Sequence, residues 1–219
     1  MLKPGQEFLC GACRNIPREV GEDHCLYCGK PVAPEEECCE DCKNRKRSFE
    51  YGRSAFWYDA AMRRSITMFK YHGRQEYAAF YGAALAAQYG TWIAGVKPQA
   101  LIPVPLHPKK YRRRGFNQAE LIARELGKRC NVPVDAGYLF RRENTAPQKE
   151  LSRGERRRNL QDAFYVRNKR LELSKYERCV IIIDDIYTTG STVEACSHVL
   201  RISGTDKIYF LCVCTGKGY

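Results

Sequence analysis

The stretch VIIIDDIYTTGST, from Val180 to Thr192, is the strongest indication of the fold of this 219-residue chain. Four β-branched apolar residues end in Asp184 and Asp185, a pattern typical of a strand buried on both faces of a parallel sheet. We expect both carboxylates to emerge where that strand ends and meets solvent. A turn follows, because Gly190 permits a positive φ angle and is flanked by hydroxyl-bearing residues. The stretch therefore predicts a strand, a polar turn and a helix that meet at one edge of a sheet.

The chemistry of this stretch suits a phosphorylated ligand. Adjacent carboxylates repel each other, so they are poor structural residues but can grip vicinal hydroxyls or a magnesium ion. Backbone N–H groups at the start of a helix, helped by side-chain hydroxyls, bind phosphate. We call Asp184 and Asp185 the acid pair. We call the five following residues the phosphate turn: Thr188, Thr189, Gly190, Ser191 and Thr192.

Taken together, the acid pair and the phosphate turn resemble the signature with which type I phosphoribosyltransferases bind phosphoribosyl pyrophosphate (PRPP). It is not a Walker A loop, because no lysine follows Gly190. The resemblance implies that Asp184 and Asp185 bind the ribose, with magnesium as a companion ion of PRPP. It also implies that the phosphate turn binds the 5-phosphate.

Strand and helix patterns alternate along the chain from about residue 48 onward. Strands are predicted at Phe49–Tyr58, Ala100–Pro105, Glu177–Asp184 and Asp206–Cys214. Helices are predicted at Asp59–Lys70, Glu76–Tyr89, Gln118–Cys130 and Thr192–Ile202. Such alternation predicts an α/β domain with a mainly parallel sheet, helices on both faces and a ligand site at the carboxyl ends of the strands.

A basic segment, HPKKYRRRGFNQAE, follows the second predicted strand. We predict that it forms a loop with a second anion site, and the alternative is an exposed basic loop without a ligand. The resemblance to phosphoribosyltransferases implies that the anion is pyrophosphate, which an early strand-to-helix loop holds in those proteins. The residues assigned to this anion site are Lys109, Lys110, Arg112 and Arg114.

A second polar, arginine-rich segment runs from Arg141 to Phe164 with little periodicity. One interpretation is a mobile flap that excludes water from the PRPP site. The other is that its arginines hold single-stranded nucleic acid, with Tyr111 and Phe116 as stacking partners.

The N-terminal segment contains seven of the 12 cysteines and too few large apolar residues to fold around a core of its own. Two CxxC pairs ten residues apart predict a structural zinc site with four ligands: Cys25, Cys28, Cys39 and Cys42. Cys38 is an alternative to Cys39, although it breaks the spacing. Cys10 and Cys13 are also candidate ligands, as half of a second site or as partners of Cys25 and Cys28, and they are otherwise free thiols.

These patterns divide the chain into residues 1–47, a cysteine-rich module that ends in the basic hinge KNRKR, and residues 48–219, the α/β domain. Net charge is +12, but residues 1–42 carry 4 basic and 9 acidic residues, so the middle of the chain is the basic part. A basic surface attracts phosphates of a small ligand or of nucleic acid. Because no apolar stretch is long enough to span a bilayer and the Met1 end lacks a signal pattern, we predict a cytoplasmic protein without a membrane span.

Four strings in this order resemble the ComF family: CLYCGKP with a following CxxC, VPLHPKKYRRRGFNQA, ERRRNLQDAF and VIIIDDIYTTGST. The resemblance implies a zinc ribbon fused to a type I phosphoribosyltransferase domain. It implies a role in uptake of single-stranded DNA during natural transformation, a competence function, together with the ComFA helicase-like ATPase. The alternative is an active magnesium-dependent phosphoribosyltransferase acting on an acceptor in nucleotide metabolism.

Overall fold

A parallel sheet flanked by helices forms the centre of the molecule. A computed structural model describes residues 8–10, 13, 17–44, 46–142, 163–166 and 178–216. The elements in chain order are α1 (Glu40–Lys43), β1 (Gly52–Trp57), α2 (Ala60–Tyr71), α3 (Tyr77–Val96), β2 (Ala100–Pro103), α4 (Pro108–Arg114), α5 (Gln118–Cys130), β3 (Leu139–Arg141), β4 (Phe164–Val166), β5 (Cys179–Tyr187), α6 (Ser191–Ile202) and β6 (Lys207–Thr215).

The central sheet has the strand order β1-β6-β5-β2, and all three neighbouring pairs are parallel. The α/β class and the parallel sheet predicted from the sequence are therefore confirmed. Ile182 of β5 pairs with Ile102 of β2 on one side and with Phe210 of β6 on the other. Because the strands are parallel, their carboxyl ends meet at one edge, which is where ligands bind in such sheets.

A second, two-stranded sheet pairs β3 with β4 in antiparallel fashion, with Arg141 opposite Phe164. These two residues are the ends of the predicted flap. The rest of that segment, residues 143–162, lies outside the described residues.

Helix boundaries follow local signals in the sequence. Helix α5 has the predicted bounds, and α2 begins after Asp59, whose side chain accepts a hydrogen bond from the Met62 N–H at 2.9 Å. Helix α3 runs on to Val96, seven residues beyond the predicted end. It lies close to α5 at Gly82, where a Cβ atom would stand 2.5 Å from Cβ of Glu125.

Two predictions of local structure were wrong. Strand β5 does not end at Asp184 but continues to Tyr187, because its pairing with β6 extends to Thr215. The predicted basic loop is the helix α4, since Pro108 occupies its first turn, His107 caps its N-terminus and Gly115 ends it with a φ of 81°. The intervening lysines and arginines favour a helix as well.

The N-terminal module packs directly on the sheet. The Trp57 N–H donates to the Arg18 carbonyl at 2.8 Å, so the chain before the cysteines runs along the free edge of β1. Gly29, with a φ of 68°, lies so near the backbone of β1 that a Cβ atom would stand 2.7 Å from the Gly52 carbonyl oxygen. The basic hinge is not simply a solvated linker, because the half-buried Arg47 donates to the Asp41 carbonyl at 3.2 Å.

In the described part of the chain, no helix combines the length and the apolar character needed to cross a membrane.

Candidate functional site

Four cysteines form a buried cluster in the N-terminal module. The Sγ atoms of Cys25, Cys28, Cys39 and Cys42 all lie within 4.8 Å of one another. The Cys28 and Cys39 sulfurs are 3.6 Å apart, close to the roughly 3.8 Å that a zinc ion at the centre of four sulfurs requires. Tight turns present the thiols, as shown by Gly29 N–H donating to Cys25 O and Cys42 N–H to Cys39 O, both at 2.9 Å.

The cluster therefore fits a zinc ribbon, with the four ligands predicted from the spacing and with Cys39 in place of Cys38. Four thiolates and one zinc ion carry a net negative charge, and two cations lie close by. Arg47 Nη2 is 3.6 Å from Cys42 Sγ, and the buried Lys30 forms an ion pair of 2.9 Å with Asp41. Such outer contacts orient and stabilise metal ligands.

The remaining cysteines lie outside this cluster. Cys10 and Cys13 are exposed, with the Cys13 N–H donating to the Cys10 carbonyl at 2.9 Å, and their role as ligands stays a prediction. Cys130 is half-buried, and the other cysteines beyond the N-terminal module are buried: Cys179, Cys196, Cys212 and Cys214.

The acid pair is buried inside β5. Asp184 and Asp185 are 8% and 4% exposed, so the expectation that they emerge into solvent was wrong. Burial, and next the charge of Asp185, raise the pKa of Asp184 well above its usual range. Buried carboxylates need cations or hydrogen-bond donors around them.

Asp185 has such partners from two helices. Lys70, at the end of α2, forms an ion pair with Asp185 Oδ2. Gln118, the first residue of α5, donates from Nε2 to Asp185 Oδ1 at 3.4 Å, and its own Oε1 accepts from Arg114 Nη1 at 2.8 Å. Sequence reasoning missed Lys70 and Gln118, although both stand at helix ends that the sequence predicted correctly.

Two more cations follow, Lys110 near Lys70 and Arg141 near Asp184. Burial, and next the charges of Arg141 and Arg114, lower the pKa of Lys110. Burial also lowers the pKa of Arg141, which interacts with Asp184 and lies 5.2 Å from the Phe164 ring centroid. We call Lys70, Lys110, Arg114 and Arg141 the cation group.

Of the four basic residues predicted to hold pyrophosphate, the structure places Lys110 and Arg114 in this group. They are four residues apart and so share a face of α4. Lys109, Lys110 and Arg112 are exposed, and Arg114 is half-buried. The assignment of all four to pyrophosphate stays a prediction.

The phosphate turn joins β5 to α6 at the same edge of the sheet. Gly190 is buried with a φ of 74°, and a Cβ atom there would overlap the Tyr187 hydroxyl. Thr188, Thr189 and Ser191 are exposed, with Thr189 Oγ1 and Ser191 Oγ 2.8 Å apart. The N-cap residue of α6 is Gly190, which has no side chain to cap the helix, and the Ser191 N–H makes a long bond of 3.4 Å to Thr189 Oγ1. The arrangement therefore offers N–H groups and hydroxyls to an anion.

Tyr187 forms a common wall between the cysteine cluster and the phosphate turn. Its ring stacks on Phe210 with centroids 4.7 Å apart. Burial, and next the nearby Cys28, raise the pKa of its hydroxyl, which has no hydrogen-bond partner among the described residues. A second link lies alongside, because Ser48 Oγ donates to Glu194 Oε1, in the first turn of α6, at 2.7 Å.

An aromatic and basic surface lies beside the cation group. Tyr71 and Tyr111 are 54% and 49% exposed, and the guanidinium carbons of Arg114 and Arg113 stand 4.7 Å and 5.7 Å from the Tyr71 ring centroid. Phe116 is buried and packs 5.8 Å from Phe69, so its prediction as a stacking partner was wrong.

These features define an α/β protein with a parallel sheet, a zinc-ribbon module and a candidate anion site at the carboxyl edge of the sheet. DNA utilization protein YhgH of Escherichia coli O157:H7 is 30% identical over 216 residues, which cover 97% of this chain and 92% of that protein. Competence protein F of Haemophilus influenzae is 30% identical over 212 residues, covering 91% and 87%. Competence protein ComFC of Bacillus subtilis is 28% identical over 213 residues, covering 93% and 82%.

The chain therefore belongs to the ComF family, as its motifs indicated. It matches no family model.

Proposed function

We propose that the acid pair and the phosphate turn bind PRPP, with magnesium, at the carboxyl edge of the sheet. The observation that carries this proposal is that cations from three elements gather beside the acid pair: Lys70 of α2 pairs with Asp185, Arg141 of β3 interacts with Asp184, and the charges of both act on Lys110 of α4. An excess of positive charge in a partly buried place is unfavourable unless an anion enters. The ligand should therefore carry more negative charge than one phosphate supplies.

Unused donors support the same conclusion. The Nε atoms of Arg114 and Arg141 are buried, and no hydrogen-bond acceptor meets them in the described part of the chain. Buried N–H groups nearly always have an acceptor in native proteins. A diphosphate supplies several acceptor oxygens, and guanidinium groups bind such oxygens strongly.

The proposed pose places the ribose between two anion sites. Asp184 and Asp185 accept hydrogen bonds from its hydroxyls, and the phosphate turn takes the 5-phosphate. Lys110 and Arg114 take the diphosphate, with Lys109 and Arg112 at the exposed entrance. Magnesium bound with PRPP would neutralise part of the diphosphate charge, and carboxylate oxygens are suitable ligands for it.

Calorimetric titration of PRPP, with and without magnesium, tests the proposal. Asp184→Ala, Asp185→Ala and Arg114→Met should each weaken binding by about tenfold or more. Arg124→Met is the matched control, because Arg124 is an exposed arginine that pairs with Glu120 on α5, and it should leave affinity unchanged. Absence of binding to the native protein, or equal loss in the control, would overturn the proposal.

We further propose a role in the uptake of single-stranded DNA during natural transformation, on the cytoplasmic side of the membrane. The names of two kinds of relative, DNA utilization protein and competence protein, support it. The net charge of +12 and the exposed Tyr71 and Tyr111 beside Arg113 and Arg114 support it physically. Aromatic rings stack on bases, and basic side chains follow the phosphate backbone.

Residues 1–47 then serve a different purpose from residues 48–219. The acidic N-terminal segment is unsuited to DNA, but Leu26 and Tyr27 stand exposed on the turn between Cys25 and Cys28. We propose that this turn docks the ComFA helicase-like ATPase. Pull-down with purified ComFA should weaken in Leu26→Ala and Tyr27→Ala while zinc content stays the same, and undiminished capture would exclude this docking site.

Fluorescence anisotropy of a labelled oligonucleotide over a salt series tests DNA binding. Affinity should fall steeply with salt, and Arg113→Met should reduce the slope of log K against log salt by about one. Tyr111→Ala should weaken binding, whereas Tyr27→Ala, an equally exposed tyrosine on the zinc module, should not. An affinity that does not change with salt would show that the protein makes no phosphate contacts with the DNA.

Transformation frequency in an Asp185→Ala strain separates this role from the alternative, a magnesium-dependent phosphoribosyltransferase of nucleotide metabolism. The DNA-uptake role predicts that transformation is lost while growth on minimal medium is unchanged. The reverse result, normal transformation with a growth requirement for a nucleotide precursor, would favour the enzyme.

A further inference from the structure

Lys70 is the one member of the cation group that contacts the acid pair directly. Its Nζ forms an ion pair with Asp185 Oδ2, and its side chain is only 16% exposed. Its charge also acts on Asp184, where it opposes the rise in pKa that burial causes. This ammonium is therefore the main counter-charge of the acid pair among the described residues.

The position of Lys70 matters because the proposed ligand brings its own cation. A divalent ion that coordinated Asp185 Oδ2 would need the place that the ammonium holds, since two cations cannot share one oxygen without strong repulsion. The other oxygen, Oδ1, faces the amide of Gln118. Access of a metal ion to Asp185 thus requires that Lys70 move away.

Other cations lie near Lys70, so breaking its ion pair with Asp185 requires a compensating interaction. Burial, and next the charges of Arg141, Arg114 and Lys70, lower the pKa of Lys110, so these charges act on one another. Release of Lys70 into this positive region is unfavourable while the region is empty. It becomes favourable once a diphosphate arrives there, because the ammonium then exchanges a carboxylate for a phosphate oxygen.

We infer that Lys70 is an internal counterion that keeps divalent metal off the empty acid pair and transfers to the diphosphate when metal and PRPP enter together. This inference rests on the proposed PRPP site and adds a residue and an order of events to it. Metal and PRPP bind as one unit, and the metal alone binds poorly.

Electron paramagnetic resonance of free Mn²⁺, with zinc-loaded protein, tests the first half of this inference without PRPP. Lys70→Met removes the charge and keeps the length of the side chain, so affinity for Mn²⁺ should rise about tenfold or more over the native protein. Lys70→Arg should stay near the native value. Arg64→Met, an exposed cation lost from the same helix, controls for a general change in charge.

Titration of Mn²⁺–PRPP tests the second half. Lys70→Met should weaken this binding by about tenfold, opposite in sign to its effect on Mn²⁺ alone. Thermal unfolding of each variant checks that the fold is intact, and Lys70→Gln offers a second neutral variant if Lys70→Met is unstable. Equal Mn²⁺ affinity in the native protein and a folded neutral variant would overturn the inference.

Failure of the proposed function gives a different pattern. If the native protein binds no PRPP, the PRPP site is wrong, yet the Mn²⁺ comparison still reports whether Lys70 excludes metal from the acid pair. If PRPP binds but Lys70→Met changes neither the Mn²⁺ titration nor the Mn²⁺–PRPP titration, the PRPP site is supported and the proposed role of Lys70 is wrong.

Discussion

The cysteine cluster and the acid pair are both groups of buried acids, but they are neutralised in opposite ways. The four thiols come from one short segment and converge on one point, where a single ion can serve them all. Asp185 pairs with Lys70 of α2 and Asp184 interacts with Arg141 of β3, elements far apart in the sequence. The cysteine cluster thus depends on one short segment and one metal ion, whereas the acid pair depends on side chains from several elements of the α/β domain.

This difference predicts how each site responds to damage. A metal site that loses one of four ligands loses the ion, so the effect is all or none. A distributed cation group that loses one member keeps the others, so the effect on ligand affinity is graded.

Removal of one thiol should have the largest effect. Cys28→Ser should abolish zinc binding and destabilise the protein by several kcal/mol, since structural zinc contributes on the order of 10 kcal/mol to small modules. Zinc content by mass spectrometry and thermal unfolding measure both. The neighbour of the cluster, Cys38→Ser, should keep its zinc and lose no more than about 1 kcal/mol. Native zinc content in Cys28→Ser would contradict the all-or-none loss expected of the cysteine cluster.

Substitution in the phosphate turn should come next. Gly190→Ala places a side chain at a φ of 74° and against Tyr187, so it should cost about 2–4 kcal/mol from backbone strain and overlap together. Gly115→Ala is the matched control, because Gly115 has a φ of 81° and nothing within 4 Å of a Cβ atom. It should cost about 1 kcal/mol. Equal losses in chemical denaturation would show that Tyr187 does not confine the turn.

Replacing Asp184 with a neutral residue should stabilise the protein when it is measured without PRPP. Burial and Asp185 raise the pKa of Asp184, so the folded state holds this proton to a higher pH than the unfolded state. Stability therefore falls as pH rises from the ordinary value near about 4 through the folded pKa. Asp184→Asn escapes this loss, so its melting temperature should exceed that of the native protein at pH 8, by about 2–4 °C per kcal/mol.

The advantage of Asp184→Asn should vanish near pH 4, while its affinity for PRPP should drop at every pH. Asp206→Asn, which removes an exposed charge just before β6 and keeps an oxygen that can accept from the Arg178 N–H, controls for the general effect of charge. A lower melting temperature than the native protein at pH 8 would show that the Asp184 charge is already compensated.

Loss of the Tyr187 hydroxyl should have the smallest effect. Because this hydroxyl has no partner among the described residues, Tyr187→Phe should change the free energy of unfolding by less than about 1 kcal/mol. The ring would still stack on Phe210 and separate the two sites. A loss of about 2 kcal/mol or more, or a loss of zinc, would reveal a hydrogen bond from this hydroxyl to the cysteine cluster.

The sequence predicted what depends on nearby residues. The four-cysteine cluster, the parallel sheet and the bounds of α5 follow from spacing and periodicity. The helix α4 was also within reach, since Pro108 and Gly115 are ordinary boundary residues, but the density of positive charge suggested a loop instead.

The surroundings of the acid pair could not be predicted in the same way. Asp184 and Asp185 were identified, but their burial results from continued pairing of β5 with β6 and from cover by α2 and α5. No periodic pattern links Lys70 to Asp185, because the contact arises only when the helices pack. The exposure of Phe116 was misjudged for the same reason, since its partner Phe69 lies on another helix.

Because Gly29 packs closely against β1, the order in which the chain is synthesised affects how the cysteine module folds. Within the central sheet β1 pairs only with β6, the last strand of the chain. During synthesis the cysteines therefore leave the ribosome long before the strand that completes the surface beneath them. The thiols must hold their zinc, or remain reduced, throughout that interval, so metal supply and thiol oxidation can decide the yield of native protein even where they do not change its final stability.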